Sequence, residues 1–406
     1  MEDGTPTTAT PGSSRAPRPS RARRLLIVAY ILFLLVLAEL FAWPAGILLQ
    51  SKWLMYMDPK PGPEAITLDK YLAIRDPVLG WPMESEFGQN YAPDGSRWCK
   101  GMDLPADAEW LASLYGDSFT ADWVGGNTDH WGCRMQRRLG ATVRNYGIGG
   151  YGTDQAFLRY RKNERDAARI VILGHMAENI SRNLTRYRDF QSRSLAWGFK
   201  PRFVLDDAGG LILVPIPTLN ESEYRRFLGL ESPPFVLPYE NFAPGGPAGA
   251  VRHEFPHLVS LFRNLGYWEV HARLARLPTY GPFYDTAHPL KGLQLTTAIM
   301  LGFEREAARR GQKAMLVIFP GGGDLIHYRK TGRWIYQNLI DALELAGASP
   351  YNFGVTMHQR LGDRPVESAF AKYHYTQEFS HLVADAVAGE LARRGWIDPQ
   401  TGQSGK

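Results

Sequence analysis

From Leu25 to Leu49 the chain reads LLIVAYILFLLVLAELFAWPAGILL, an apolar run broken by one charge, Glu39. As an α-helix it extends about 37 Å at about 1.5 Å per residue, more than the roughly 30 Å hydrocarbon core of a bilayer. Backbone groups in lipid must bond within their own segment, so the run predicts one transmembrane helix at 25–49. The alternatives are a cleaved secretory signal and a buried core helix. A signal's apolar stretch covers about 7–15 residues and closes on a small-x-small site; this run is longer and has no clean site near its end. Glu39 lies toward the far end, where a carboxyl reaches for headgroups, and it receives no function. Trp43, Trp53 and Tyr56 suit the far interface.

Before the run stand Arg15, Arg18, Arg21, Arg23 and Arg24 against Glu2 and Asp3, a charge of +3, and only Lys52 and Lys60 follow closely. The positive-inside rule therefore keeps the N-terminus cytoplasmic and places everything past about residue 50 outside, in a periplasm or at the cell surface. The chain's net charge is +5, so the residues after Arg24 carry +5 − 3 = +2. A nucleic-acid binder concentrates its basic residues on a folded domain, whereas here the surplus sits in a Pro/Ser/Thr-rich tail, 1–24, that cannot build a core. Nucleic acid is excluded as a partner. Cys99 and Cys133 are the only cysteines; outside the cytoplasm they can pair, but two cysteines make no metal site, and the spacing alone leaves pairing open.

The segment 50–106 is rich in Pro, Gly and polar residues and reads as an irregular lead-in. Then short apolar runs, Trp110–Tyr115, Ala141–Asn145 and Ile170–Leu173, each end on glycine and alternate with helical spacing at Trp131–Leu139 and Gln155–Ala168. Strands alternating with helices imply a parallel sheet. A fourth strand, Ala314–Phe319, follows a helix at Leu293–Arg310; a helix over Trp334–Ala346, a short strand near Phe353–Thr356 and a last helix over Ser380–Arg394 complete a domain spanning 107–396, with 397–406 as a tail. Between the third and fourth strands an insertion at about 190–290 carries a hairpin around Asp206–Gly210, Pro-rich stretches and a helix near His257–Arg276. It is expected to cover the sheet's edge or its substrate end.

Ligand groups in an open parallel sheet collect past the carboxyl ends of its strands. Those ends read Gly116-Asp117-Ser118-Phe119-Thr120, Asn145-Tyr146-Gly147-Ile148-Gly149-Gly150-Tyr151-Gly152 and Gly174-His175-Met176-Ala177-Glu178-Asn179. They offer a hydroxyl on a tight turn, a bare glycine backbone and an amide, the parts that acyl transfer needs to attack a carbonyl and hold its oxyanion. A base is still required. His374, just before the amphipathic HLVADAVAGEL, is the candidate.

At these blocks the chain resembles the SGNH/GDSL hydrolase superfamily. The resemblance implies a three-layer α/β/α sandwich with a parallel flavodoxin-like sheet, Ser118 as nucleophile with Asp117 beside it, Gly150 and Asn179 as oxyanion donors, and His374 as base. The match spreads over Leu111–Leu391 and is dense only at the blocks. Two positions depart from the family pattern. The third block usually reads Gly-x-Asn-Asp, whereas this chain has Glu178-Asn179, with the asparagine displaced by one place. The acid normally three residues before the histidine is Ala371 here, leaving a Ser-His dyad or a carboxylate from elsewhere, with Glu367 and Asp363 as candidates.

Each residue also has a plainer role. Asp117 and Asn179 suit helix caps, His374 can pack between Tyr373 and Tyr375, and His175, His327 and His358 read as structural histidines. Phe319–Asp324 (FPGGGD) lacks a phosphate loop's Gly-Lys-Ser/Thr and reads as a turn at the substrate mouth. The expectation is a membrane-tethered extracytoplasmic serine esterase or O-acyltransferase acting on an acylated glycan, lipid or other ester at the cell envelope, without cofactor or metal. The alternative is an inactive glycan-binding or envelope-assembly protein on the same fold. A lipase embedded in lipid would need exposed apolar loops in the insertion, and its many Pro, Gly and charged residues give no clear case for them.

Overall fold

Strands buried on both faces need near-continuous apolar runs, and the chain supplies them. The computed structural model describes residues 20–56, 67–81, 90–102, 104–105, 108–192, 198–227 and 237–398. The tail up to residue 19, parts of the lead-in (57–66 and 82–89) and the C-terminal tail from 399 lie outside them.

In chain order the strands are β1 (Trp110–Tyr115), β2 (Thr142–Asn145), β3 (Ile170–Met176), β4 (Arg202–Leu205), β5 (Leu211–Val214), β6 (Lys313–Phe319), β7 (Tyr351–Asn352), β8 (Phe370–Ala371) and β9 (His374–Tyr375). Five form one parallel sheet in the order β2-β1-β3-β6-β7. With the inserted hairpin set aside this is the flavodoxin-like 2-1-3-4-5 order. On one face the helix Trp131–Leu139 packs against Gln377–Arg393, which also meets Phe353–Leu361; on the other, Gly292–Arg309 packs against Thr153–Lys162 and Gln337–Leu345. The result is a three-layer α/β/α sandwich preceded by the N-terminal helix Arg21–Ser51, which is long and apolar enough to cross a membrane.

Two strands of the sheet differ from the sequence reading. β3 runs past Leu173 through Gly174 and His175 to Met176, because β6 pairs with it over its whole length. The segment expected as a strand at Phe353–Thr356 is a helix, Phe353–Leu361, and the strand is the preceding Tyr351–Asn352. Asn352 decides this: its side chain accepts the Gly354 N–H at 2.9 Å and caps the helix, and Phe353, Met357 and Leu361 then fall on one buried face.

The lead-in is stitched into the core through buried Leu79, Trp81 and Tyr91, and a Cys99–Cys133 disulfide ties it to the helix Trp131–Leu139. Inside the insertion, β4 and β5 form the antiparallel hairpin, and Asp206 accepts the Ala208 and Gly210 N–H groups within its turn. The single helix expected at His257–Arg276 is two, His257–Asn264 and Trp268–Leu274, parted at Leu265-Gly266-Tyr267.

A buried ion pair joins the insertion to the helix Thr153–Lys162. Lys200 Nζ lies 2.5 Å from Asp154 Oδ2 with neither side chain exposed, and also donates to the Arg182 and Thr185 carbonyls. Burial raises the Asp154 pKa and lowers that of Lys200, each opposed by its partner. Removing one partner strands a buried charge, so Lys200→Met is expected to cost about 3–5 kcal/mol in urea unfolding of the detergent-solubilised chain. Lys200→Met with Asp154→Leu should recover much of that loss; an unchanged midpoint in the single variant would show that the pair does not hold the insertion.

Candidate active site

β1 lies between β2 and β3, so the loops leaving these three strands meet where the strand order reverses. After β1 the chain turns at once into a single helical turn, Ser118–Ala121. Asp117 caps it, accepting the Phe119 N–H at 2.8 Å. Ser118 is 9% exposed and lines a cavity of about 1100 Å³.

The loop after β2 is locked to this turn. Asn145 donates through Nδ2 to the Thr120 carbonyl at 2.7 Å and accepts the Gly147 N–H at 2.9 Å. The two loops approach so closely that a Cβ at Gly147 would lie 2.4 Å from the Ala121 nitrogen. Gly150, at φ +78°, adopts a left-handed conformation that glycine alone takes without cost, and it lines the cavity together with Gly149. Two donors hold this glycine backbone: Trp81 Nε1 on the Gly149 carbonyl at 2.8 Å and Arg188 Nε on the Gly150 carbonyl at 3.4 Å.

His374 enters from the far end of the chain. β8 and β9 form a tight hairpin with Lys372 at positive φ in the turn, and His374 lines the same cavity as Ser118 and Gly150. Phe119, next to Ser118, packs 5.5 Å from the His374 ring and 4.8 Å from Tyr375, while Tyr375 donates to the Pro320 carbonyl at 2.8 Å. No hydrogen bond joins Ser118 to His374, and none from a carboxylate orients the imidazole, among the described residues. Ala371 pairs across the hairpin with His374 and is exposed. Glu367 lies at the cavity wall, and Asp363 is exposed away from it.

The carboxylates that act on His374 are Asp117 and Asp122. Burial, the largest influence, lowers the His374 pKa; those two anions oppose it and Arg182 adds to it. Asp122 is fixed by the Trp131 N–H at 2.9 Å and by the Ser380 hydroxyl. Asp117 is fully buried, and burial raises its pKa against the pull of Arg182, 3.8 Å away, the Phe119 N–H, Asn179 and His374.

Of the five residues singled out by sequence, Ser118, Gly150 and His374 line the cavity, while Asp117 and Asn179 stand behind its wall. Asn179 is fully buried. Its amide is near enough to Asp117 to help keep that carboxyl charged, yet neither amide atom meets hydrogen-bond geometry. Glu178 takes the cavity-facing place instead. His175 is fully buried between Thr153 Oγ1 at 2.7 Å and Tyr284 OH at 3.0 Å, and Gly321–Gly323 of the FPGGGD segment line the mouth.

Arg182 and Arg188, which sequence reading passed over, also line the cavity. Arg182 lies 3.1 Å and Arg188 3.6 Å from the Glu178 carboxylate. Burial works against the Glu178 charge, and the two guanidinium groups overcome it and hold its pKa low. Burial and the neighbouring Arg182 pull Arg188 down to about 10, so it stays charged at neutral pH. The available signal was the Glu178–Arg182 spacing of four residues and the dense Arg182, Arg186, Arg188 run directly after the third block.

No family model matches the chain, and no curated protein matches it in sequence. Among solved structures, it is similar to a protein from Desulfitobacterium hafniense DCB-2 assigned to the lipolytic G-D-S-L family, at 10% identity and TM-score 0.32, covering 69% of this chain and 98% of that one. It is also similar to two variants of the esterase AlinE4, at 12% and 11% identity and TM-scores 0.29 and 0.28, covering 71% of this chain and 97% and 98% of theirs. At these scores the likeness is distant, and the fold assignment rests on the sheet order and the three loop blocks.

The electrostatics predict the titration of His374. With its pKa depressed, the imidazole should lose its proton below the ordinary value of about 6.5, and Asp117→Asn, by removing an opposing anion, should lower that midpoint further. An NMR titration of the His374 ring checks both; a midpoint above 6.5, or an upward shift in the variant, would contradict this account.

Proposed function

We propose that the chain is a membrane-anchored, extracytoplasmic serine esterase or O-acyltransferase. The observation that carries the reading is the convergence of Ser118, Gly150 and His374, from three distant parts of the sequence, on one cavity. Ser118 attacks an ester carbonyl while neutral His374 takes its proton and returns it to the leaving alcohol. The N–H groups of Ser118 and Gly150 receive the oxyanion, with Asn179 as the third candidate donor. Water as second acceptor makes the protein an esterase; a sugar hydroxyl makes it a transferase.

His374 starts neutral because burial depresses its pKa, and the imidazolium formed on proton transfer is stabilised by Asp117 and Asp122 through space. This fits a dyad supported by a field rather than a triad with a bonded acid. A cavity lined by Trp123, Tyr280, Phe370 and Tyr373 beside Arg182 and Arg188 suits a substrate with apolar and polar parts, as an acylated glycan or lipid has. Export is supported by the arginine asymmetry around the N-terminal helix and by the disulfide, which persists in oxidising compartments. The unbonded ring of His374 favours a second reading, a non-catalytic glycan-binding module.

The purified full chain, treated with a fluorophosphonate probe and assayed on p-nitrophenyl acetate, separates the two. Labelling of the native chain, absent in Ser118→Ala, with kcat lower by about 10⁴–10⁶ in the variant, is the expected outcome. A folded native chain that neither labels nor turns over would sink the esterase reading in favour of the binding module.

A further inference from the structure

Glu39, the one charge in the apolar run, points to a membrane-embedded part of the insertion. Its carboxylate accepts the backbone N–H groups of His257 and Leu258, the latter at 3.0 Å, and so caps the helix His257–Asn264. Two further contacts follow, one on the N-terminal helix and one just past its end. A Cβ at Gly46 would lie 2.1 Å from His253 Nε2, so that imidazole rests directly on the helix backbone, and the Tyr56 N–H donates to the Val251 carbonyl at 2.9 Å. From Val251 to Leu258 the insertion therefore descends along the helix from its far end toward its middle.

The depth follows from helix geometry. Taking Arg23 and Arg24 as one boundary, Glu39 lies about 21 Å along the helix from Leu25 at about 1.5 Å per residue. In a hydrocarbon core of about 30 Å it is then about 9 Å below the opposite boundary, and any tilt places it deeper. What bonds to Glu39 shares that depth. The residues around this contact are dressed for it: Phe255, Val259, Phe262, Leu265 and Leu274 are between 42% and 79% exposed. Val259, Phe262 and Leu265 recur every three residues on one face, with Ser260 and Asn264 buried on the other. Their apolar surface continues that of the N-terminal helix, where Leu40, Phe41, Trp43 and Leu48 are equally open.

We infer that the helix pair His257–Asn264 and Trp268–Leu274 lies in the outer leaflet beside the spanning helix, its apolar face in acyl chains and exposed Arg263, Arg273 and Arg276 at headgroup level. The occupant of this face is lipid, because the face is joined at membrane depth to a surface that lipid already covers. The consequence is orientation: Pro278, only four residues past Leu274, belongs to the cavity wall, so the candidate active site opens within about 14 Å of that leucine. The inference rests on the spanning reading of the N-terminal helix and not on catalysis.

The test uses the full chain, one copy per lipid nanodisc, with single cysteines introduced by Phe262→Cys, Leu274→Cys, Leu32→Cys and Leu345→Cys and spin-labelled. All four positions are exposed, and the native cysteines are paired. Labels at 262 and 274 are expected to show an oxygen-to-nickel accessibility ratio severalfold above that at Leu345, as at Leu32. Nickel access at 262 and 274 equal to that at Leu345, with Leu32 still in lipid, overturns the inference and leaves the anchor intact; the same result at Leu32 overturns the spanning reading as well. Labels at 262 and 274 shielded from both reagents mean that protein covers the face, which also overturns it.

Discussion

One side-chain amide holds the candidate site together. Asn145, at the end of β2, donates to the carbonyl of Thr120 and accepts the N–H of Gly147, so the turn carrying Ser118 and the glycine loop carrying Gly150 become one rigid piece. Both of its bonds are buried, where an unmade bond leaves a polar group unpaired at a cost of about 1–3 kcal/mol. The close approach it enforces leaves no room for a side chain at Gly147. Trp81, from the lead-in, and Arg188, just ahead of the insertion, then fix the carbonyls of the same loop from the other side. Segments that look peripheral in the chain thus set the backbone on which an oxyanion would rest.

Around that rigid piece the charges are arranged in depth. Asp117 and Asp122 sit behind the wall and Arg182, Arg188 and Glu178 at it. Burial works against every one of the shifted groups, and opposite charges within a few ångströms decide how far each gives way. Glu178 stays ionised between two guanidinium groups, whereas Asp117, facing Arg182 at 3.8 Å, is still raised. Burial lowers the His374 pKa while Asp117 and Asp122 oppose that shift, a poise suited to accepting a proton.

The sequence shows plainly the long apolar N-terminal helix, the β-α alternation and the three loop blocks, because each is a local pattern: an extended apolar length, a change of hydrophobic period, a glycine after a strand. It was misleading at Phe353–Thr356, where β-favouring residues form a helix once Asn352 caps it, and at β3, whose last turn-like residues are drawn into the sheet by β6. It also offered no clear case for exposed apolar loops in the insertion. The apolar residues there are few, and only folding gathers Val259, Phe262 and Leu265 on one face.

What sequence alone settled is chemistry at single positions: a serine on a capped turn, glycines where a backbone must come close, a histidine ahead of the last helix. Tertiary structure decided the relations among them. It brought His374 against Phe119 across more than 250 residues, set Ala371 on the outside of a hairpin, moved Asn179 behind the wall and Glu178 to its face, and joined Glu39 to a helix 218 residues away. The physical reason is range: propensity and periodicity act over a few residues, whereas pairing charges and burying polar groups depend on which distant segments share a low-dielectric space.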